Sequence, residues 1–136
     1  MNTWKNQRIV ITGGTSGLGR ALALSFAKSG AKVVTVARNP KDSPNHENIH
    51  FIQADIADKR AIHRIAGEAL GTLGGIDLLI NNASHLGVTP LRLLMDSDCE
   101  DLELALTTNV IGPFRLTKAL LPGMILQKRG QVVNIS

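Results

Sequence analysis

The chain has 136 residues and a formal net charge of +4 at pH 7, which is enough for one domain with one hydrophobic core. Its basic residues are scattered and aromatic residues make up only 3% of the chain, so neither a nucleic-acid interface nor a basic tail is indicated. A single cysteine excludes an intrachain disulfide. The sequence shows no apolar leader and no membrane-length apolar run, which favours a cytoplasmic protein without a membrane partner.

The first half of the chain alternates between predicted strands and one predicted helix. β-Branched and apolar residues favour buried strands at residues 8–12, 32–37 and 49–53. An alanine- and leucine-rich helix is predicted over residues 17–29, with Gly30 in the position of a left-handed cap. The polar stretch 38–45 contains two prolines and has no helical pattern, so we expect a loop there.

The second half is predicted to continue as a helix, a strand, a long helix and a final strand, at about residues 58–70, 76–81, 98–127 and 131–135. Asp58 is expected to cap the first of these helices, and residues 71–75 are expected to form a loop. The long helix is predicted to break near Gly112 and Pro113 and to stop at Gly130.

Alternating strands and helices are typical of an α/β fold with a parallel sheet and right-handed crossovers. We therefore predict a single Rossmann-like domain over residues 1–136, with a doubly wound sheet of strand order 3-2-1-4-5. In such a sheet, ligands bind at the carboxyl ends of the strands, where the strand order switches between the first and fourth strands.

A glycine-rich turn joins the first strand to the first helix, and residues 12–19 read TGGTSGLG. Free backbone N–H groups and the positive end of a helix dipole can hold a pair of phosphates at such a turn. The backbone comes close to a ligand only where side chains are absent, as at Gly13, Gly17 and Gly19. The alternative is that the same glycines serve only tight packing of the helix on the strand.

Polar motifs also follow the other strands: Arg38 after the second, Asp55 and Ile56 after the third, and NNAS at residues 81–84 after the fourth. Together with the T-G-x-x-x-G-x-G turn, they resemble the short-chain dehydrogenase/reductase family over nearly the whole chain. In that family the pair at 55–56 meets the adenine, and an Asn-Asn-Ala-Gly segment passes close to the ribose. Ser84 stands where that segment has its last glycine.

The resemblance implies that a nicotinamide dinucleotide is held by residues from the glycine turn and from the later strand ends. These are Gly13, Thr15, Ser16, Gly17, Leu18, Gly19, Arg38, Asn39, Asp55, Ile56, Asn81, Ala83 and Ser84. The alternative for Asp55 is that it simply begins a turn before the next helix. Thr12 is expected to hydrogen-bond the 81–84 segment across the sheet as scaffolding.

Arg38 indicates NADP rather than NAD as the cofactor. An NAD site has a carboxylate at the end of the second strand, whereas an NADP site has a cation for the 2′-phosphate. Here Ala37 stands in the carboxylate position and Arg38 follows it, and a guanidinium can hold a phosphate through two hydrogen bonds. The alternative is a solvent-exposed loop arginine. Asn39 either assists Arg38 or simply makes the turn.

Asn109 resembles the active-site asparagine of the same family. There, an irregular helical turn frees a carbonyl that holds a water molecule in a proton relay. Pro113 fits such an irregularity, because proline removes a backbone donor. The alternative is a buried asparagine that satisfies its local backbone.

The chain contains no tyrosine. Hydride reduction of a carbonyl needs an acid, and the resemblance implies a tyrosine followed four residues later by a lysine, with a serine that orients the carbonyl. Ser136 resembles the first of two adjacent serines, of which the family uses the second. We therefore expect the cofactor-binding portion of a carbonyl reductase or alcohol dehydrogenase, truncated before its catalytic residues and later strands, and inactive on its own.

Other interpretations stay open at this point. His85 follows the NNAS segment and is a candidate substitute acid, although plain surface is the favoured interpretation. The histidines, cysteine and carboxylates have no zinc-like spacing, so no metal is expected. The chain could instead be a non-catalytic dinucleotide sensor or partner subunit, or a Rossmann domain for another nucleotide such as a methyl donor. An apolar fifth strand at the sheet edge predicts that the chain associates as a homo-oligomer, aggregates or is only partly ordered.

Overall fold

The computed structural model of the protein describes residues 3–85 and 90–136. Five parallel strands form one sheet in the order β3-β2-β1-β4-β5. The strands are β1 (Arg8–Thr12), β2 (Lys32–Ala37), β3 (Ile49–Gln53), β4 (Leu78–Asn81) and β5 (Gln131–Asn134). The predicted α/β Rossmann-like fold and its strand order are confirmed. Only the bounds of β4 and β5 differ from the prediction, by one or two residues at one end.

The helices lie on both faces of this sheet. They are α1 (Gly17–Lys28), α2 (Ile62–Leu73), α3 (Cys99–Leu106) and α4 (Gly112–Leu126). A short 3₁₀ turn begins α2, and there Asp58 accepts a hydrogen bond from the backbone N–H of Arg60 at 2.9 Å, as predicted for a cap. Gly30 follows α1 with φ of 91°, so the predicted left-handed cap is also confirmed. Within the described ranges, no helix combines the length and the apolar character needed to cross a bilayer.

Two helix ends differ from the prediction, and each has a local cause. α2 continues through residues 71–73, which were predicted as loop, since a single glycine such as Gly71 costs a helix only about 1 kcal/mol relative to alanine and does not end it. It stops at Gly74, whose φ is 76°. α4 ends through Lys128 with φ of 57° rather than at Gly130. Gly130 is needed for a different reason, since a Cβ there would lie 2.6 Å from the side chain of Met124.

The long helix breaks slightly earlier than predicted. Thr107–Ile111 form a π-helical turn between α3 and α4, directly before Gly112 and Pro113. Pro113 has no N–H to donate, which weakens the helical ladder at this point. A Cβ on Gly112 would collide with the carbonyl of Ile56, so glycine lets the helix approach the loop after β3. The irregularity places residues 107–111 beside the carboxyl edge of the sheet.

The core has two layers, one on each face of the sheet. α1 packs through Ala23 and Ala27 against one face, which includes Ile9 and Ile11. The other face, which includes Val10, packs against α2 and α4. Burial on both sides of β1, β2 and β4 explains why these strands read as nearly continuous apolar runs. The strand ends are therefore held rigidly, and the polar residues that follow them are fixed relative to one another.

Candidate functional site

A cleft of about 370 Å³ lies at the carboxyl edge of the sheet, and the segments that follow β1, β2, β3 and β4 all contribute to it. The predicted cofactor residues that line it are Gly13, Thr15, Ser16, Gly17, Leu18, Arg38, Asn39, Asp55, Ile56, Ala83 and Ser84. Gly19 and Asn81 were predicted with them but lie outside the described lining of this cleft. Four separate strand ends thus meet at one place.

The glycine turn offers bare backbone at the start of α1. Gly13 and Gly17 have φ values of 70° and 51°, a region that side chains rarely adopt. A Cβ on Gly17 would meet nothing in the described part of the chain within 4 Å, so the space beside it is open to a ligand. The first turn of α1 carries no acidic residue, and the Ser16 side chain makes no capping hydrogen bond. The helix N-terminus is therefore available to an anion.

Gly19 serves packing within the protein. A Cβ at this position would collide with the carbonyl of Gly13 and lie 2.5 Å from Nδ2 of Asn82. That same amide donates a hydrogen bond to the Gly13 carbonyl at 3.2 Å. The tight-packing alternative thus applies to Gly19, whereas Gly17 faces open space.

Thr12 connects the glycine turn to the segment after β4. Its Oγ1 accepts hydrogen bonds from the backbone N–H groups of Asn82 and Ala83, both at 3.1 Å. The predicted scaffolding bond across the sheet is confirmed. Because Thr12 is buried, these bonds are shielded from water and fix one wall of the cleft relative to its floor.

Asn39 makes the turn after β2, and Arg38 is an exposed arginine whose side chain is available to a ligand. Oδ1 of Asn39 accepts from the backbone N–H of Lys41 at 2.9 Å, so Asn39 makes the turn. The carbonyl of Arg38 accepts from Nε2 of Gln53 at 3.0 Å. The guanidinium of Arg38 has no hydrogen-bond or ion-pair partner among residues 3–85 and 90–136. It is an exposed cation at the rim of the cleft.

Asp55 lines the cleft and also shapes its own loop. Its Oδ1 accepts a hydrogen bond from the backbone N–H of Ala57 at 2.9 Å. The local-turn interpretation of Asp55 is therefore confirmed, and its placement in the cleft is compatible with the ligand contact that the resemblance implies.

Asn109 lies in the π-helical turn and holds the chain after β4. Its Oδ1 accepts from the backbone N–H of His85 at 2.7 Å, and its Nδ2 donates to the carbonyl of the same residue at 2.9 Å. Asn109 is exposed and its partner is 24 residues away, so the alternative of a buried asparagine bonded to its local backbone is wrong. The helix irregularity implied by the resemblance is present.

Asn81 lies on the side of β4 that faces β5 and α4. Its Nδ2 donates to Oδ1 of Asn134 at 2.8 Å and to Oγ1 of Thr117 at 3.2 Å. It lines a second depression of about 570 Å³, whose wall also includes Asn109 and Ser136. Asn81 thus ties two strands and a helix together.

One wall of the cleft was only partly predicted, since His85 was a candidate from the sequence, whereas Asn82, Leu104 and Thr108 were not. Leu104 from α3 and Thr108 from the π-helical turn line it, together with His85 and Asn82. The spacing of four residues between positions 104 and 108 is the available signal, because it places both on one face of a helix. A strand-end motif such as 81–84 could also have indicated Asn82.

At the amino ends of the strands, opposite the cleft, Asp77 forms ion pairs with Arg8 and Arg129. There Asp77 receives hydrogen bonds from the side chains of Arg8 and Arg129. The Arg8 side-chain bonds, above all, lower the pKa of Asp77 to about 2, against the opposing effect of burial. Among the described residues, no group of three or more histidine, cysteine or carboxylate side chains could hold a metal ion.

Comparison with protein families gives a match over nearly the whole chain. The family described as short chain dehydrogenase matches residues 7–136. Dehydrogenase/reductase SDR family member 7B of Rattus norvegicus is 38% identical over 146 residues, covering 97% of this chain and 44% of that protein. An uncharacterized oxidoreductase of Mycobacterium bovis is 35% identical over 143 residues, covering 97% of this chain and 42% of that protein. The chain spans less than half the length of these relatives.

Solved structures give the same result at the level of the fold. A short-chain dehydrogenase from Streptomyces avermitilis superposes with a TM-score of 0.85 at 32% identity, covering 96% of this chain and 49% of that one. A metagenomic short-chain oxidoreductase in complex with NADP superposes with a TM-score of 0.88 at 29% identity, covering 98% and 62%.

Proposed function

The chain belongs to the short-chain dehydrogenase family, and from that membership we propose that it is the NADP-binding portion of an oxidoreductase acting on a small carbonyl or alcohol substrate. The observation that carries the proposal is the cleft, which is lined both by the uncapped N-terminus of α1 and by Arg38, whose guanidinium has no partner among the described residues. The first suits a diphosphate and the second suits an additional phosphate.

The choice of NADP over NAD rests on residues 37 and 38. Ala37 and Arg38 both line the cleft, and neither supplies the carboxylate that would bind the ribose hydroxyls of NAD. A guanidinium without a partner in the described chain gains a 2′-phosphate partner at no cost to the fold. The structural relative in complex with NADP supports the same choice.

The remaining cleft residues would position the cofactor. The backbone from Gly13 to Leu18 would hold the diphosphate, Asp55 and Ile56 would border the adenine, and Ala83 and Ser84 would pass along the ribose. When bound, the nicotinamide supplies or accepts the hydride. Asn109 would support a proton relay through a main-chain carbonyl freed by the π-helical turn, and its side chain holds His85 in place.

The 136 residues contain no tyrosine, so they do not themselves supply the family's proton donor. We therefore expect this chain to bind NADP and not to reduce ketones by the family mechanism. The same observation favours, as a second candidate, a dinucleotide-binding sensor or partner subunit. Protein-dependent loss of nicotinamide absorbance with NADPH and a panel of ketones would contradict the expected inactivity.

Titration calorimetry of the 136-residue chain with NADPH, NADH and S-adenosylmethionine tests the binding proposal. We expect NADPH to bind at least about tenfold more tightly than NADH, because one charge-assisted phosphate contact contributes about 1.5–3 kcal/mol. Arg38→Ser should remove this difference. Arg60→Ser is the matched control, since Arg60 is an exposed arginine away from the cleft. Tighter binding of NADH or of S-adenosylmethionine to the folded chain would refute the assignment.

We also propose a homo-oligomer in the cytoplasm. Among the described residues, β5 pairs with β4 alone, and Val133, Ile135 and Phe114 nearby are 40%, 41% and 68% exposed. An uncovered apolar edge of this kind favours association with another chain. Sedimentation analysis over a range of concentrations tests this part, and a strictly monomeric chain would contradict it.

A further inference from the structure

The loop after β2 carries Arg38, and two hydrogen bonds hold the first turn of this loop. Nε2 of Gln53, at the end of β3, donates to the carbonyl of Arg38 at 3.0 Å. Oδ1 of Asn39 closes the turn by accepting from the N–H of Lys41 at 2.9 Å. These bonds fix the backbone directly after the Arg38 Cα, while before it the carbonyl of Ala37 accepts from the backbone N–H of Ala54 at 3.0 Å. The guanidinium is left without a partner in the described chain.

A third anchor comes from the helix that follows the glycine turn. Nε of Arg20, in the first turns of α1, donates to the carbonyl of Asp42 at 3.0 Å. Asp42 has φ of 64°, an uncommon conformation for a residue other than glycine. The bond therefore holds a loop conformation that the backbone of Asp42 does not itself favour. Arg20 connects the diphosphate end of the cleft to the loop at its other end.

Arg20 does not act as a cleft residue in its own right. It is exposed and lies outside the described lining of the cleft, which includes Arg38. Its contact is with a main-chain oxygen, so it constrains the path of the loop irrespective of the side chain at position 42. An arginine side chain loses much conformational freedom when it binds a phosphate. A loop fixed beforehand reduces the further ordering that binding requires.

From these contacts we infer that Arg20 is a positioning residue for cofactor selectivity: by holding the loop at Asp42, it places Arg38 to bind the 2′-phosphate of NADP. The inference rests on the proposed function and adds the residue that makes Arg38 selective. Loss of one hydrogen bond that orders a loop should reduce the preference for NADPH over NADH by about three- to tenfold.

The test is a double-mutant cycle on the ratio of the dissociation constants for NADH and NADPH, with Arg20→Met and Arg38→Ser alone and combined. We expect Arg20→Met to lower the ratio by weakening NADPH binding while NADH binding stays the same. In the Arg38→Ser background it should change nothing further, because its effect passes through Arg38. A further drop in that background would mean that Arg20 contacts the phosphate directly and would overturn the inference. Equal weakening of both cofactors would also overturn it.

Two further variants make the result specific. Asp42→Asn keeps the carbonyl and tolerates a positive φ, so it should leave the ratio unchanged. Arg20→Lys retains a donor and should restore part of the preference. If wild-type protein shows no preference for NADPH, the proposed function has failed. If wild type prefers NADPH and Arg38→Ser removes the preference, but Arg20→Met leaves it intact, only the inference about Arg20 has failed.

Discussion

Arginines lie at both ends of the strands, but those at the amino ends, the amino edge, are paired with a carboxylate, whereas Arg38 at the carboxyl ends, the carboxyl edge, is unpaired among the described residues. At the amino edge, Arg8 and Arg129 both bind the carboxylate of Asp77, with N–O distances of 3.0 and 2.8 Å in the ion pairs. The Asp77 side chain is 3% exposed. At the carboxyl edge, Arg38 is exposed and has no partner for its guanidinium among the described residues. The charges at the amino edge are therefore neutralised within the protein, whereas Arg38 at the carboxyl edge can bind an anionic ligand.

The difference separates stability from binding. A carboxylate that is buried between two cations costs much free energy when it is removed, because the cations lose their partner in a partly desolvated place. A cation without a partner contributes little to the fold and is free to bind an incoming anion. Variants at the amino edge should therefore change the free energy of unfolding, and variants at the carboxyl edge should change dinucleotide binding.

Asp77→Asn should give the largest effect on stability. We expect the free energy of unfolding to fall by about 2–3 kcal/mol at pH 7, since Arg8 and Arg129 lose their shared carboxylate. Urea denaturation followed by circular dichroism measures the change. The control is Glu68→Gln, which removes an exposed carboxylate paired with His50 at 3.0 Å and should cost under about 1 kcal/mol. Equal effects of the two variants would show that the ion pairs of Asp77 stabilise the fold no more than an exposed pair does.

Gly19→Ala should give the next largest effect, because the added Cβ collides with the carbonyl of Gly13. Overpacking against backbone is expected to lower the free energy of unfolding by about 2–3 kcal/mol. Gly67→Ala in α2 is the matched control, since a Cβ there meets nothing in the described chain within 4 Å. It should stabilise the helix by about 0.5–1 kcal/mol. Thermal unfolding of both variants measures the pair, and similar melting temperatures would contradict the packing role of Gly19.

Acid should weaken the amino edge selectively. The hydrogen bonds from Arg8 hold the pKa of Asp77 at about 2 in the folded protein, below its value in the unfolded chain. The stabilisation from this carboxylate is therefore complete above about pH 4–5 and is lost as the pH falls toward 2, by about 2 kcal/mol. The measurement is the difference in unfolding free energy between wild type and Asp77→Asn across this range. A difference that stays constant with pH would contradict the role of the charged carboxylate.

The sequence predicted the carboxyl edge better than the amino edge, for a physical reason. Parallel strands buried on both faces read as apolar runs, and the polar residues after them converge because the strand order is set by the crossovers. Asp77 is 69 positions away in sequence from Arg8 and 52 positions away from Arg129, and no local sequence pattern indicates contacts over such separations. The same limit applies to Leu104 and Thr108, which line the cleft although they are distant in sequence from the strand ends that form the rest of it.

Left-handed backbone conformations at residues other than glycine were also not predicted from the sequence. Lys128 ends α4 and Asp42 shapes the loop after β2, each with a positive φ. Lysine gives no sign of such a position, and aspartate gives only a weak one, since few residues other than glycine adopt a positive φ even though aspartate is enriched among them. Pro113, by contrast, did indicate the irregular helix, because a missing N–H has a direct structural consequence.

Arg38→Ser should give the smallest effect on stability of these variants. Its side chain makes no contact by hydrogen bond or ion pair within the described residues, and its backbone bond to Gln53 does not depend on the side chain. We expect the free energy of unfolding to stay within about 0.5 kcal/mol of wild type. Urea denaturation without nucleotide measures this value. With the same excess of NADPH, wild type should gain more stability than the variant, because the stabilisation by a ligand grows with the logarithm of its concentration divided by its dissociation constant. A variant that loses stability in the absence of nucleotide would show that Arg38 belongs to the fold, and the contrast between the two edges would then fail.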